Sequence, residues 1–197
     1  MIQRGMARLL GSPPKQKLKI TVSILIDLHR SLSDSPEDAS FWSACVIAFF
    51  VFLRKSTLLP STSDLVANKF IARSDVTEIS LRSFLMIIRY SKTIQFGQRV
   101  CTLPYVACED VRLCPVRALL KHFGFSRLPL NRPLFNFVKS GVECTFSSAF
   151  FMKRLRDLLK RTGHPASSIS CHSFRRGGAS LAYMIGMSAV DIKLRGD

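Results

Sequence analysis

Near its end the chain reads Ser170-Cys171-His172-Ser173-Phe174-Arg175-Arg176-Gly177-Gly178-Ala179-Ser180. Serines of the helix-capping type precede Leu181, Ala182 and Ile185, so the segment predicts the first turns of a helix. His172 and Arg175 stand three apart and would share one face of that turn. Free backbone N–H groups and the positive helix end point the same way, which suits an anion. Arginine adds a planar fork that can hold two phosphate oxygens. Histidine adds a proton donor or acceptor near neutral pH. Two more cations, Arg54 and Lys92, are of interest for their neighbours. Taken locally, Arg54 reads as a dipole partner at a helix C-terminus, and Lys92 as a solvated turn lysine.

The elements that must position these residues can be read from periodicity and punctuation. A helix is expected from Thr21, with Leu25, Leu28 and Leu32 on one face, broken at Ser33-Asp34-Ser35. Ser35 then caps a second helix, with Pro36 at its first position and Asp38 completing a capping-box-like pattern. That helix runs through Trp42, Ile47 and Phe50 and delivers Arg54 near its end. Its apolar run, Phe41 to Leu53, is about half a membrane span and reads as a buried helix. Val76 to Ser80, Phe84 to Tyr90 and Arg99 to Leu103 read as strands, the last stopped by Pro104. A turn around Phe96-Gly97 places Lys92 at or beside a hairpin tip. Pro115 opens a helix to Phe123, and a loop with Pro129 and Pro133 follows. Phe146 to Thr162 reads as an amphipathic helix ended by Gly163. Phe151, Leu155, Leu158 and Leu159 face inward there; Lys153, Arg154, Arg156, Lys160 and Arg161 form a basic outer side.

Composition narrows the partner. The 197 residues carry 29 Lys+Arg against 13 Asp+Glu, a formal charge of +16, on a chain that is 47% hydrophobic. Such a chain builds a core, so global disorder is excluded, and its charge calls for a polyanion: DNA, RNA or an anionic membrane surface. Residues 1–19 are basic, contain Pro13-Pro14 and read as an arm or linker ahead of one domain over 20–197. No apolar leader segment follows Met1, so a secretory signal is not expected and the six cysteines are read as reduced thiols. Cys101, Cys108, Cys114 and His122 have spacings that fit no zinc motif, and no metal is expected.

Three boxes together carry more than His-x-x-Arg alone. Phe49-Phe50-Val51-Phe52-Leu53-Arg54-Lys55-Ser56 resembles the first-arginine box of the tyrosine recombinase (phage integrase) family. Ser91-Lys92-Thr93 to Phe96-Gly97 resembles the hairpin bearing that family's catalytic lysine, and His172-Ser173-Phe174-Arg175-Arg176-Gly177-Gly178 resembles its His-x-x-Arg box. With Leu113-Cys114-Pro115 between them, the wording is most similar to the eukaryotic Crypton-like mobile-element branch.

The resemblance implies an α+β catalytic domain over residues 20–197, mostly α-helical with a small antiparallel β-sheet. It implies double-stranded DNA as partner, in a homo-oligomer on DNA, with no membrane, cofactor or metal, and a nuclear location. Arg54, Lys92, His172 and Arg175 would be catalytic, and Arg54, Lys92, Arg175, Arg176, Lys153 and Arg156 would contact DNA. The arginines would clamp the non-bridging oxygens of a phosphorane, His172 would donate to it, and Lys92 would protonate the leaving 5′ oxygen. The family pattern also expects a nucleophilic Tyr some thirty residues past the second arginine, beyond Asp197. Tyr90, Tyr105 and Tyr183 stand in the wrong places for it. A C-terminally truncated, inactive recombinase is therefore expected. The alternative is a non-catalytic, basic DNA-binding remnant or domesticated transposon protein. Two departures from the family pattern are Val51, where a small residue is usual, and Thr57, where an acid is common.

Overall fold

The computed structural model describes residues 17–67, 69–91 and 100–195. In chain order its helices are α1 (Val22–Arg30), α2 (Pro36–Phe50), α3 (Lys55–Leu58), α4 (Thr62–Val66), α5 (Pro115–Phe125), α6 (Ser148–Arg161), α7 (Cys171–Met184) and α8 (Ala189–Arg195). Strands β1 (Val76–Ser80), β2 (Ser83–Ile88) and β3 (Cys101–Val106) form one antiparallel sheet in the order β1-β2-β3. Strands β4 (Phe137–Lys139) and β5 (Val142–Cys144) form a separate hairpin. The class is α+β, mostly helical with a small antiparallel sheet, as the sequence led us to expect.

Helix α2 is the centre of the molecule. Every residue from Asp38 to Phe49 is buried. A helix apolar around its whole circumference must be enclosed by other elements, and α5, α7 and β4 pack against this one. Among the described residues no helix is long and apolar enough to cross a membrane. The start of α2 follows its caps: the Ser35 hydroxyl accepts the Asp38 N–H at 3.2 Å, and Pro36 occupies the first turn. The Asp38 carboxylate does not close a capping box on Ser35. It accepts the N–H and hydroxyl of Ser33 at 2.8 and 2.7 Å and Nε of Arg154 at 3.0 Å. These donors hold its carboxyl below the usual range even though burial pushes the other way.

The sheet alternates as a half-buried sheet should. Phe84, Met86 and Ile88 of β2 and Leu103 and Tyr105 of β3 point into the core. The register runs from Ser83 opposite Val106 to Ile88 opposite Cys101. Pro104 lies inside β3, opposite Leu85, and does not end the strand as expected. In the β1-β2-β3 order β3 is an outer strand, whose backbone need bond on one side only, so a residue without an N–H is tolerated there.

Other differences are local. Helix α1 stops at Arg30, leaving Leu32 outside it. The β4–β5 hairpin lies in a stretch read as loop. Ser140 and Gly141, both at positive φ (51° and 78°), form the two-residue turn that matches strand twist. The last helical run is two helices: α7 ends at Met184, Gly186 follows at φ +93°, and α8 begins at Ala189.

Candidate functional site

The first feature is the way the chain leaves α2. Phe52 sits at φ +58°, in the left-handed region that a bulky residue rarely adopts. This reversal ends α2 at Phe50, so Arg54 is not a cation in its last turn. Arg54 is instead the N-cap residue of α3. A cation gains nothing from the dipole at that end of a helix. The dipole reading of Arg54 therefore fails, and its half-buried guanidinium needs another reason to be there.

The second feature is the seat of α7. Its N-terminus is fixed by the Ser170 N–H donating to the Ser173 hydroxyl at 3.0 Å. About two turns on, the adjacent Gly177 and Gly178 are buried against other backbone. A Cβ added to Gly177 would lie 1.9 Å from the Ile20 carbonyl oxygen, and one added to Gly178 would lie 1.8 Å from that of Phe49. Only hydrogen fits at either position. The pair lets α7 lie directly on the end of α2 and on the segment 17–20, where Leu18 N–H donates to Ser168 O and Ile20 N–H to Ser173 O. In that position Arg175 Nη1 donates to the Phe52 carbonyl at 3.1 Å. Two segments about 120 residues apart in sequence are thus tied at the turn that presents Arg54.

Electrostatics show that the cations share one region. Partial burial, then the positive charges of Arg175, Arg176 and Arg54, hold the His172 imidazole below its ordinary value. His172 is on the exposed side of α7's first turn. The buried Cys171 thiol is pushed up to about 11 by its burial, against the opposing charges of Lys55 and Arg156. Arg54, Lys55, Arg156, His172, Arg175 and Arg176 therefore border the N-terminus of α7. Lys55 is the member that sequence reasoning passed over; its adjacency to Arg54 at a helix start was the available signal. A cluster of cations of this composition suits a phosphodiester, with guanidinium forks for its oxygens and an imidazole that could donate to the same group.

Other predicted residues have different settings. Arg176 Nη1 donates to the Lys17 carbonyl, so it also straps the segment 17–20 onto α7. Lys153 and Arg156 are exposed and share one face of α6. Arg154 does not belong to the basic outer side: it turns inward to the buried Asp38. Lys92 lies outside the described residues. Thr57 is 5% exposed, and its hydroxyl has no hydrogen-bond partner among the described residues. Tyr105 is buried on β3, and burial raises its phenol well above the usual value. It lines an apolar cavity of about 280 Å³ with Phe50, Phe52, Gly178 and Leu181. Tyr183 is 69% exposed late in α7, and Tyr90 lies just past β2. Among the described residues no group of three or more His, Cys, Asp or Glu is placed to hold a metal ion. His122 is buried, with Nε2 2.9 Å from the Leu134 carbonyl and 3.2 Å from Arg73 Nη2.

No protein-family model matches the sequence, and none of the curated proteins matches it. Solved structures do. The XerH site-specific recombinase bound to its difH substrate, in a pre-cleavage complex, aligns with a TM-score of 0.60 at 14% identity, over 92% of this chain and 47% of that one. The Flpe–Holliday junction complex aligns with a TM-score of 0.59 at 13% identity, over 99% of this chain and 47% of that one. XerA recombinase aligns with a TM-score of 0.52 at 14% identity, over 97% and 62%. This chain thus spans about half the length of the first two. At these identities the likeness is one of fold: the chain has the α+β architecture of a tyrosine recombinase catalytic domain.

Proposed function

We propose that the chain is a DNA-binding tyrosine recombinase-like domain, built for breaking and rejoining DNA strands, from the Crypton-like mobile-element branch. The observation that carries this reading is the meeting of Arg54, His172 and Arg175 at the N-terminus of α7, on a chain of charge +16. In the proposed mechanism Arg54 and Arg175 grip the non-bridging oxygens of one phosphodiester. His172 donates to the same phosphate, and Lys92 protonates the departing 5′ oxygen. Arg156, Lys153 and Arg176 extend the grip along the backbone. Fixed cations act most strongly as the phosphorane gains negative charge, so the pocket would stabilise the transition state more than the ground state. The partner is double-stranded DNA, which gives the protein a nuclear place of work.

On their own, residues 1–197 are proposed to hold DNA without cutting it. Tyr183 stands eight residues past Arg175, about 12 Å along the helix axis. Tyr105 is enclosed in the core. Neither suits in-line attack at a phosphate held by Arg175. The test is duplex binding followed over a salt series. Wild-type affinity should fall steeply with salt, and Arg54→Ala with Arg175→Ala should lower the slope of log K against log salt by about 0.9, the share of the one phosphate that both arginines neutralise. A double variant with unchanged affinity and slope would remove those arginines from the phosphate. A covalent adduct between residues 1–197 and a nicked suicide duplex would overturn the claim that they lack the nucleophile.

A further inference from the structure

The turn between β3 and α5 holds a pair of thiols that the proposed function leaves unused. Leu113-Cys114-Pro115 starts α5: the Cys114 sulfur accepts the Arg117 N–H at 3.5 Å, and Cys114 has no exposed surface. The chain reaches it by folding back tightly. Ala107 N–H donates to Arg82 O at 2.7 Å. Asp110 Oδ1 accepts the Arg112 N–H at 2.9 Å, and the Asp110 carbonyl accepts that of Leu113 at 3.1 Å. Trp42 Nε1 pins the Arg112 carbonyl at 2.8 Å. This course returns Cys108 to the start of α5. Its sulfur lies 3.4 Å from the Asp110 carbonyl, the same carbonyl that accepts the N–H of Leu113 one residue before Cys114. Cys108 is half-buried and lines the apolar cavity together with Pro115. One sulfur is open to a reagent and the other is sheltered beside it.

We propose that Cys108 and Cys114 are an oxidation site that closes to an intramolecular disulfide. With oxidised glutathione as oxidant, the Cys108 thiolate attacks one glutathione sulfur, the S–S bond breaks, and one glutathione thiolate leaves. The Cys114 thiolate then attacks the Cys108 sulfur and expels the second. Two protein thiols are oxidised, one glutathione disulfide is reduced to two thiols, and the two protons from the cysteines go to them. Cys45 and Cys171 are both buried, so neither offers the open sulfur with which Cys108 would start the exchange. Burial first, then the neighbouring Cys114, raises the Cys108 thiol, so the reaction should quicken as pH rises above neutral.

The test uses the full chain, folded and incubated with oxidised glutathione, then unfolded in N-ethylmaleimide to block every remaining thiol, digested without reductant and read by mass spectrometry. Cleavage at Arg112 separates the two cysteines, so the bond appears as two joined peptides. The expected result is that link, with free thiols falling from six to four. Cys114→Ser should instead trap glutathione on Cys108, and Cys108→Ser should leave Cys114 alkylated. Wild-type protein with both cysteines alkylated, glutathione held on Cys108 beside a free Cys114, or a different pair joined would each overturn the proposal.

Discussion

Replacing Gly178 by alanine tests the geometry on which the site depends. A Cβ there would lie 1.8 Å from the Phe49 carbonyl oxygen and 2.8 Å from the Phe52 ring. Real contacts of this kind begin near 3.0 Å, so α7 must retreat by about 1.2 Å. The obstacle is a backbone carbonyl of a buried residue in the last turn of α2 and cannot swing aside. Overpacking of this sort costs about 1–3 kcal/mol. The shift also stretches the 3.1 Å bond from Arg175 to Phe52 O past any useful length. A total near 3 kcal/mol corresponds to a fall in Tm of about 6–12 °C for a chain of this size. Duplex affinity should fall about tenfold, the worth of one charge-assisted hydrogen bond to a displaced guanidinium. Thermal melts by circular dichroism and fluorescence anisotropy on a labelled duplex read both effects. Gly124→Ala is the control: nothing lies within 4 Å of its added Cβ, inside α5. It should gain about 0.5–1 kcal/mol from helix propensity and leave binding unchanged. If Gly178→Ala melts and binds like Gly124→Ala, the close seating of α7 does not position Arg175, and the reasoning fails.

Two further predictions concern protons. Burial, and to a lesser degree the neighbouring Arg73 charge, holds His122 down at about 4 although the Leu134 carbonyl pulls it upward. A folded value below the unfolded 6.5 means that the stability is fully present above pH 6.5 and lost as pH falls toward 4, by roughly 3 kcal/mol. Urea melts across that range should show the loss in wild type and a much flatter profile in His122→Gln, which keeps a donor for Leu134 O; equal slopes would refute it. His172 is held low by partial burial and then by the cations around it, and a bound phosphate would raise it, so DNA binding should take up protons. Affinity should rise as pH falls below neutral and His172→Gln should flatten that dependence; parallel profiles would place His172 away from the phosphate.

What could be read from sequence divides along physical lines. Helices α1, α2, α5, α6 and α7 carry their own start signals in Thr21, Ser35-Pro36, Pro115, Ser147 and Ser170, and their apolar spacing decides which side is buried. The missed elements are those whose reasons are distant or short: the Ser140-Gly141 hairpin, the brief α3 and α4, and the break before α8. Pro104 misled because a strand-stopping residue is judged by its neighbours, whereas its tolerance depends on β3 lying at the outside of the sheet. Arg154 misled because its helix face reads as solvated, whereas a buried carboxylate 116 residues away claims it.

The site divides in the same way. Type and spacing drew attention to His172 and Arg175, and the resemblance of its box added Arg54, but neither says how the three meet. That depends on two features that locally resemble faults: a phenylalanine forced to positive φ at position 52, and two glycines inside a helix at 177 and 178. Each costs stability where it stands. Together they turn the chain after α2 and bring α7's backbone against it, so that the Phe52 carbonyl and the Arg175 guanidinium come within hydrogen-bond distance. A sequence optimised for local order would place a helix former at 177 and 178 and a glycine at 52. The first change would drive α7 off α2; the second would relieve the strain at the turn while deleting the ring that walls the cavity beside Gly178. Strain held at 52 and propensity given up at 177 and 178 are consistent with selection for the position of Arg175 over the stability of its helix.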